Sequence, residues 1–108
     1  MKNNQRVLEF LADKQILQKA PGCDFSNIVP GTRGYLAAHF TFSDEWADCV
    51  KAASFWADGF EHAVLLSDDA CTIPDAALVS SKFEVSVSGA RPDGFYITTA
   101  RTTVKQEG

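Results

Sequence analysis

Cysteine is scarce in this chain of 108 residues, which contains only Cys23, Cys49 and Cys71. Their number is odd and no C-x-x-C pair occurs, which disagrees with the disulfide framework of a short secreted domain. We therefore expect three reduced thiols that pack as small apolar groups. The spacing also matches no zinc module, whose ligands come in close pairs, so we expect no metal.

Clusters of positive charge and long apolar runs are absent as well. The ten Lys and Arg residues are scattered among 14 Asp and Glu residues, and the net charge is -4. Phosphate binding needs clustered positive charge, so this balance disfavours DNA or RNA as a partner. No apolar run approaches the length of a signal-peptide core or a membrane span. We expect synthesis in the cytoplasm without a signal peptide and no membrane partner, and a place in a virion stays open.

Motifs of known enzymes are also absent. The sequence has no G-x-S-x-G and no H-E-x-x-H, and its glycines form no phosphate-binding loop. His39 and His62 are interpreted as surface or structural histidines. The acids Asp68, Asp69 and Asp75 lack the rhythm of a calcium loop and are interpreted as strand-end and capping residues. These observations predict no catalytic residue and no cofactor.

The sequence does contain short segments in which apolar and polar residues alternate, and turn signals separate them. Its length suits a single domain. Segments 6–12 and 14–19 predict either two strands or one strand with a bend. The stretch 21–34 is rich in Pro and Gly and predicts a loop, pinned to the protein around Phe25 and Ile28.

The middle of the chain changes from one periodicity to another. Residues 35–42 alternate between apolar and polar positions, which predicts a half-buried strand. Ser43 suits a helix N-cap, and Trp46, Cys49 and Val50 then follow at helical spacing, which predicts a short helix.

Two further strands are predicted at Ala52–Ala57 and Glu61–Leu66. Asp58 and Gly59 lie between them, and a D-G pair between apolar runs is a strong hairpin signal. The competing interpretation is one helix from Asp44 to Ala57, because alanine is frequent there.

The last third of the chain has the clearest patterns. Pro74 lies near the start of residues 73–78, which predict one helical turn. The side chains of Ile73 and Leu78, at the two ends of this turn, are expected to fill the core. Residues 83–88 alternate strictly, 91–94 predict a type I turn with a bulge, and the Thr-rich segment 95–104 predicts the return strand. We interpret this return strand as the candidate open edge of a sheet.

The predicted fold class is all-β. Six to eight short strands with one or two helical turns are typical of an antiparallel Ig-like β-sandwich, and a small β-barrel is the structural rival. The whole chain, 1–108, forms one domain in this interpretation, with residues 1–5 and 105–108 frayed.

Aromatic residues supply the candidate binding positions. Trp46 and Phe55 are assigned to the core. Trp56 alternates with Phe55 and should face outward, and Phe60 lies at the tip of the predicted hairpin. Exposed aromatic rings can stack on sugars or anchor a protein partner, so these two and Tyr96 are the candidate interaction residues.

One resemblance to a known family involves residues 35–104. In order, it rests on the turn FSDEW, the aromatic strand ASF, an apolar strand leading to C-T-I-P, and a V-S-V-S-G hairpin whose return strand ends in I-T-T. This order resembles the small Ig-like domains of phage and prophage virion proteins, such as the N-terminal sandwich of baseplate upper proteins. The resemblance implies an assembly module of a tail, baseplate or fibre and carries no catalytic residue.

The leading expectation is therefore a non-enzymatic structural module of a phage or prophage particle. Its partners would be other protein subunits, either further copies of itself in a homo-oligomer or components of a tail or baseplate. It would bind them by burying an apolar patch and by pairing an open edge strand. The alternative is a carbohydrate-binding sandwich that stacks sugars on Trp56, Phe60 or Tyr96. A small enzyme with an unrecognised site is a third hypothesis.

Overall fold

Two β-sheets packed face to face make up the protein. A computed structural model describes residues 5–106, in which two short 3₁₀ turns, Asp44–Trp46 and Asp75–Leu78, accompany nine strands. The strands are β1 (Arg6–Asp13), β2 (Ile16–Lys19), β3 (Leu36–Phe42), β4 (Val50–Ala57), β5 (Phe60–Leu65), β6 (Ala70–Thr72), β7 (Lys82–Ala90), β8 (Tyr96–Thr98) and β9 (Thr102–Lys105). The predicted all-β sandwich is confirmed.

The first sheet has the strand order β2-β1-β3-β6. Segments 6–12 and 14–19 form two strands, joined by a hairpin in which Lys14 has a φ of 56°. This hairpin returns the chain to the end of the sheet where β1 began, and β3 starts there. As a result β3 runs parallel to β1, from Arg6 opposite Leu36 onward. The sandwich is mostly antiparallel, as predicted, and β1 with β3 is the parallel pair among the named strands of residues 5–106.

The second sheet has the strand order β5-β4-β7-β8, and β9 also pairs with β7. The predicted hairpin between β4 and β5 is confirmed. Its two turn residues, Asp58 and Gly59, have φ angles of 53° and 82°, as a type I′ turn requires. The competing helix from Asp44 to Ala57 is therefore wrong.

The helix predicted after Ser43 is shorter than the spacing of Trp46, Cys49 and Val50 suggested. Only Asp44–Trp46 is helical, and Asp48 then takes a left-handed φ of 62°, which ends the turn and directs the chain into β4. Val50, placed on the helix face by the sequence, is instead the first residue of β4 and is 67% exposed. Trp46 is fully buried, as predicted, and its Nε1 donates a hydrogen bond to the Lys14 carbonyl at 2.9 Å.

The return strand predicted from Phe95 to Val104 is divided into β8 and β9. At the break, the Thr99 hydroxyl accepts a hydrogen bond from the Val87 amide at 3.2 Å. The next amide, that of Ala100, donates to the carbonyl of Gln15 at 3.3 Å, so the chain leaves its own sheet to contact the first one. The preceding turn is confirmed, with the Gly94 amide donating to the Arg91 carbonyl at 3.1 Å.

The core lies between the sheets and is closed at one end by the second 3₁₀ turn. Ile73 and Leu78 are both fully buried, which confirms their predicted place in the core. Burying a side chain of this size contributes roughly 1.5–3 kcal/mol to stability. The other large side chains with almost no exposure are Trp46, Phe10, Phe40, Phe55, Phe83, Leu8, Ile28, Val85, Val87 and Val104.

Three residues that the sequence assigns to frayed ends are hydrogen-bonded. Gln5 donates through Nε2 to the Thr72 hydroxyl at 3.0 Å. Lys105 is the last residue of β9, and Gln106 donates from its backbone amide to the Ser81 carbonyl at 2.7 Å. The rest of the two predicted frayed ends, 1–4 and 107–108, lies outside the described residues.

Candidate functional site

Exposed apolar side chains gather at one end of the outer face of the second sheet. Three large ones, Val50, Leu65 and Tyr96, are 67%, 70% and 65% exposed. Small apolar side chains fill the positions between and beside them. We call the group the apolar patch, and its members are Val50, Ala52, Ala63, Leu65, Ala90 and Tyr96.

Strand register explains why these residues share one face. Val50 lies opposite Ala90, which in turn lies opposite Tyr96. One row further along, Ala52 lies opposite Leu65. Side chains two residues apart on a strand point to the same side, so both rows face outward. At the usual spacing of strands, the patch extends across four strands and about 14 Å.

The strand positions within the rows of the patch carry no charge. The neighbouring outward residues are hydroxylic, namely Ser54, Ser86, Ser88 and Thr98. Charged side chains begin only in the next row, where Glu61 and Glu84 flank Trp56. In a chain with 22% charged residues, a flat area with none is unusual, and such areas mark interaction sites.

Trp56 faces outward, as predicted, but its ring is not free. The guanidinium of Arg101 lies over it, 3.6 Å from the ring centroid, and is bonded to Glu84 at 3.1 Å. The indole Nε1 donates to the Ser86 hydroxyl at 3.2 Å. Beside Arg101 an open cleft of about 470 Å³ extends to Ser80 and Lys82. A sugar stacking on the covered indole face would first have to displace Arg101.

Phe60 and Tyr96 lie far from one another. Phe60 is 68% exposed at the start of β5, beside Ala57 at the tip of the hairpin. Tyr96 lies in the same row of the sheet as Val50. Val50 precedes Trp56 by six residues on β4, so this row is about 20 Å from the row of Trp56. The structure thus does not bring the three predicted aromatic residues together. Tyr96 belongs to the apolar patch, whose other large members, Val50 and Leu65, the sequence did not single out.

Among the edge strands, β8 and β9 were the predicted open edge. They do lie at the edge of the second sheet, where β9 contacts β2 and β8 contacts the turn that precedes β2. The Thr102 hydroxyl donates to the Leu17 carbonyl, and the Gln15 Nε2 donates to the Thr98 carbonyl at 3.2 Å. These two bonds tie this edge to the first sheet at Thr98 and Thr102.

β5 forms the opposite edge of the second sheet, and its outer side is open. The two-residue hairpin makes Ala57 and Phe60 a hydrogen-bonded pair, and the Leu66 amide donates to the Lys51 carbonyl at 2.9 Å. Even-numbered residues of β5 therefore bond to β4. The backbone groups of the odd-numbered residues Glu61, Ala63 and Leu65 point away from it. Within residues 5–106 these groups have no hydrogen-bond partner.

The residues considered for catalysis and metal binding are dispersed. His39 Nδ1 lies 2.7 Å from Glu9 Oε1 on the outer face of the first sheet, whereas His62 lies opposite Phe55. Asp68 and Asp69 both take left-handed φ angles in the turn that connects β5 to β6. Across residues 5–106, no three or more His, Cys, Asp or Glu side chains are grouped in a way that could hold a metal ion.

All three cysteines are free thiols. Cys71 on β6 packs against the core, and burial raises the pKa of its thiol from 9.0 to about 11. A thiol with a raised pKa is protonated at neutral pH and is a poor nucleophile. This environment suits a packing role for Cys71.

None of the helical elements in the described part of the chain is long and apolar enough to cross a membrane. In the comparisons with known proteins, no family model, no curated protein and no solved structure matches the sequence or the fold.

Proposed function

We propose that this protein is a non-enzymatic assembly module of a phage or prophage particle and that it binds other protein subunits through the apolar patch. The observation that carries the proposal is the exposure of Val50, Leu65 and Tyr96 at one end of a sheet face, in rows that carry no charged strand residue. The resemblance of residues 35–104 to virion sandwich domains supports the particle as the setting.

The shape of the patch suits a protein partner. Between the large side chains lie Ala52, Ala90 and Ser88, so the surface is flat and another sheet or helix can approach closely. The strand residues of these rows carry no charge that would have to be desolvated on contact, and the nearest carboxylate, that of Glu61, is bonded to the Ser54 hydroxyl at the border of the patch. Burial of an apolar surface is the main favourable contribution in most protein associations.

Incorporation into particles tests this proposal. Particles released by the organism that carries the gene would be purified and analysed by quantitative mass spectrometry. We expect the wild-type protein to copurify in a fixed ratio to the particle subunits. The double variant Val50→Ser, Tyr96→Ser should be depleted at least about tenfold, because a loss of roughly 1.4 kcal/mol or more in binding has that effect.

A matched control is Val79→Ser. Val79 is 63% exposed, similar to Val50 and Tyr96, but it follows the second 3₁₀ turn and lies outside the patch. It should be incorporated like the wild type. Absence of the wild-type protein from particles would contradict the proposal, and so would equal incorporation of the double variant.

A further inference from the structure

We propose that β5 pairs with β5 of a second copy of this chain, so that the second sheets of two copies join into one continuous sheet. The inference rests on the proposed role in protein–protein interaction and names one partner and its contact. It starts from the backbone groups of Glu61, Ala63 and Leu65, which point outward from the edge of the sheet.

Open strand edges are usually protected in natural proteins by Lys, Pro, a bulge or a covering segment. β5 has the sequence FEHAVL, with neither Lys nor Pro, and pairs with β4 over its whole length without a bulge. Its one acidic side chain, Glu61, is held over the outer face of the sheet by the Ser54 hydroxyl at 2.5 Å. The strand therefore has no Lys, no Pro and no bulge to protect its open side.

The ends of β5 also carry exposed apolar surface. Leu65 and Phe60 are 70% and 68% exposed, which makes them the two most exposed large apolar side chains in the described part of the chain. Both lie on this one strand, one at each end. A strand that pairs here would cover part of both side chains in addition to the backbone groups.

A second copy fits this edge in one register better than in others. With Ala63 on a two-fold axis, Glu61 lies opposite Leu65 of the second copy, and each outward residue forms a hydrogen-bonded pair. Three such pairs give about six backbone hydrogen bonds between the copies. Shifting the axis to Glu61 would instead place two carboxylates directly opposite one another, which is destabilising.

In the proposed register the two copies of Glu61 are four residues apart along the strand, about 13 Å. This is longer than the Debye length of about 10 Å at 0.1 M ionic strength, so their repulsion is weak. Phe60 lies beside Leu66 of the second copy, at both ends of the pairing. The contact is narrow, and interfaces of low area are weak, so we expect a reversible dimer.

This dimer would also present two copies of the apolar patch on one side of the joined sheet. A two-fold axis perpendicular to the sheet keeps the same face of both copies on the same side. Leu65 of each copy would then lie at the junction beside Glu61 of the other copy, and both apolar patches would face the same side of the joined sheet. Dimerisation through β5 would thus offer the particle two docking patches on one face.

Sedimentation across concentrations up to the millimolar range tests the pairing. We expect the wild type to shift from monomer to dimer. Ala63→Pro should remain monomeric, because proline removes an outward amide that β4 does not use, and edge strands tolerate proline there. Ala63→Lys, which places two ammonium groups opposite one another, should also remain monomeric. The urea midpoint shows that each variant is folded.

Ala90→Lys is the matched control, since Ala90 lies in the apolar patch on β7, away from the edge. It should dimerise like the wild type. If Ala90→Lys abolished the dimer and both Ala63 variants retained it, edge pairing would be overturned in favour of contact through the patch. A wild type that is monomeric throughout would also overturn it.

Disulfide trapping tests the register. Residues in a hydrogen-bonded antiparallel pair have Cα atoms about 5.5 Å apart, which is within the range of a disulfide. Ala63→Cys should therefore form a covalent dimer under mild oxidation, whereas Ala90→Cys should not. Equal cross-linking of the two variants would overturn the register. Loss of the dimer with retained incorporation into particles would remove this inference alone, while absence from particles would remove the proposed function.

Discussion

The Trp46 indole lies directly against Gly89 of β7. A Cβ atom at position 89 would be 3.0 Å from Cε3 of Trp46 and 3.0 Å from Cβ of Cys49. Both neighbours are held from other sides, and Trp46 is anchored to the Lys14 carbonyl. A side chain at this position would require the Trp46 ring or Cys49 to move by a few tenths of an ångström.

Gly89→Ala is expected to lower the free energy of unfolding by about 1–3 kcal/mol, the usual cost of overpacking a core. The measurement is urea denaturation followed by circular dichroism. Ala90→Ser, at the adjacent exposed position, is the control and should change stability little. A Gly89→Ala protein as stable as the wild type would contradict the close packing of Trp46.

Arg101→Ala is expected to expose the Trp56 ring, because the guanidinium covers one face of it. Tryptophan emission should shift to longer wavelength and quenching by acrylamide should increase, while stability falls by about 0.5–1 kcal/mol. Trp46 is fully buried and contributes a constant background. Arg33→Ala, on an exposed loop, should leave both signals unchanged. Unchanged quenching in Arg101→Ala would show that Trp56 is not covered.

Cell-wall glycans should leave the tryptophan emission of the wild type unchanged. The reason is that Arg101 occupies the stacking face of Trp56 and is bonded to Glu84. A fluorescence titration with a panel of glycans measures this. A saturable change that is lost in Trp56→Ala would favour the carbohydrate-binding alternative over the proposed function.

Alkylation of Cys71 is expected to be slow in the folded protein. With its pKa raised from 9.0 to about 11, the thiolate fraction at pH 8 falls by about a hundredfold relative to the unfolded chain. Iodoacetamide labelling read by mass spectrometry, with and without urea, measures the difference. Equal labelling rates in both conditions would contradict the burial of Cys71.

Stability should depend on the same thiol at high pH. A pKa that is higher in the folded state means that the folded protein binds more protons, so stability is lost as pH rises. The contribution of Cys71 is fully present below pH 9 and declines between pH 9 and about 11. The free energy of unfolding of the wild type relative to Cys71→Ala should therefore fall across this range. A difference in the free energy of unfolding between the two proteins that is constant with pH would count against the raised pKa of Cys71.

Local signals in the sequence predicted local structure well. The Asp58-Gly59 turn and the alternation in 83–88 both depend on neighbouring residues alone, and both are confirmed. The helical spacing of Trp46 and Val50 was misleading. It extends across Asp48, whose left-handed φ ends the 3₁₀ turn, and nothing nearby in the sequence indicates that conformation.

Features that depend on distant contacts could not be predicted in this way. The break between β8 and β9 depends on Gln15, more than eighty residues away in the chain. The parallel pairing of β1 with β3 depends on where a long loop returns. The apolar patch and the open edge follow from strand order, so Val50 and Leu65 could not be recognised as neighbours on one face before the topology was known.

Hydrogen exchange at the Ala63 amide, measured across protein concentrations, tests the pairing of β5 most directly. This amide has no partner within residues 5–106, whereas Val64 lies opposite Ala53 in the hydrogen-bonded register and serves as the internal reference. We predict that exchange at Ala63 is fast in dilute solution and slows at least about tenfold as the dimer forms, while Val64 stays protected throughout. Exchange at the Ala63 amide that is independent of protein concentration would contradict the pairing of β5 with a second copy.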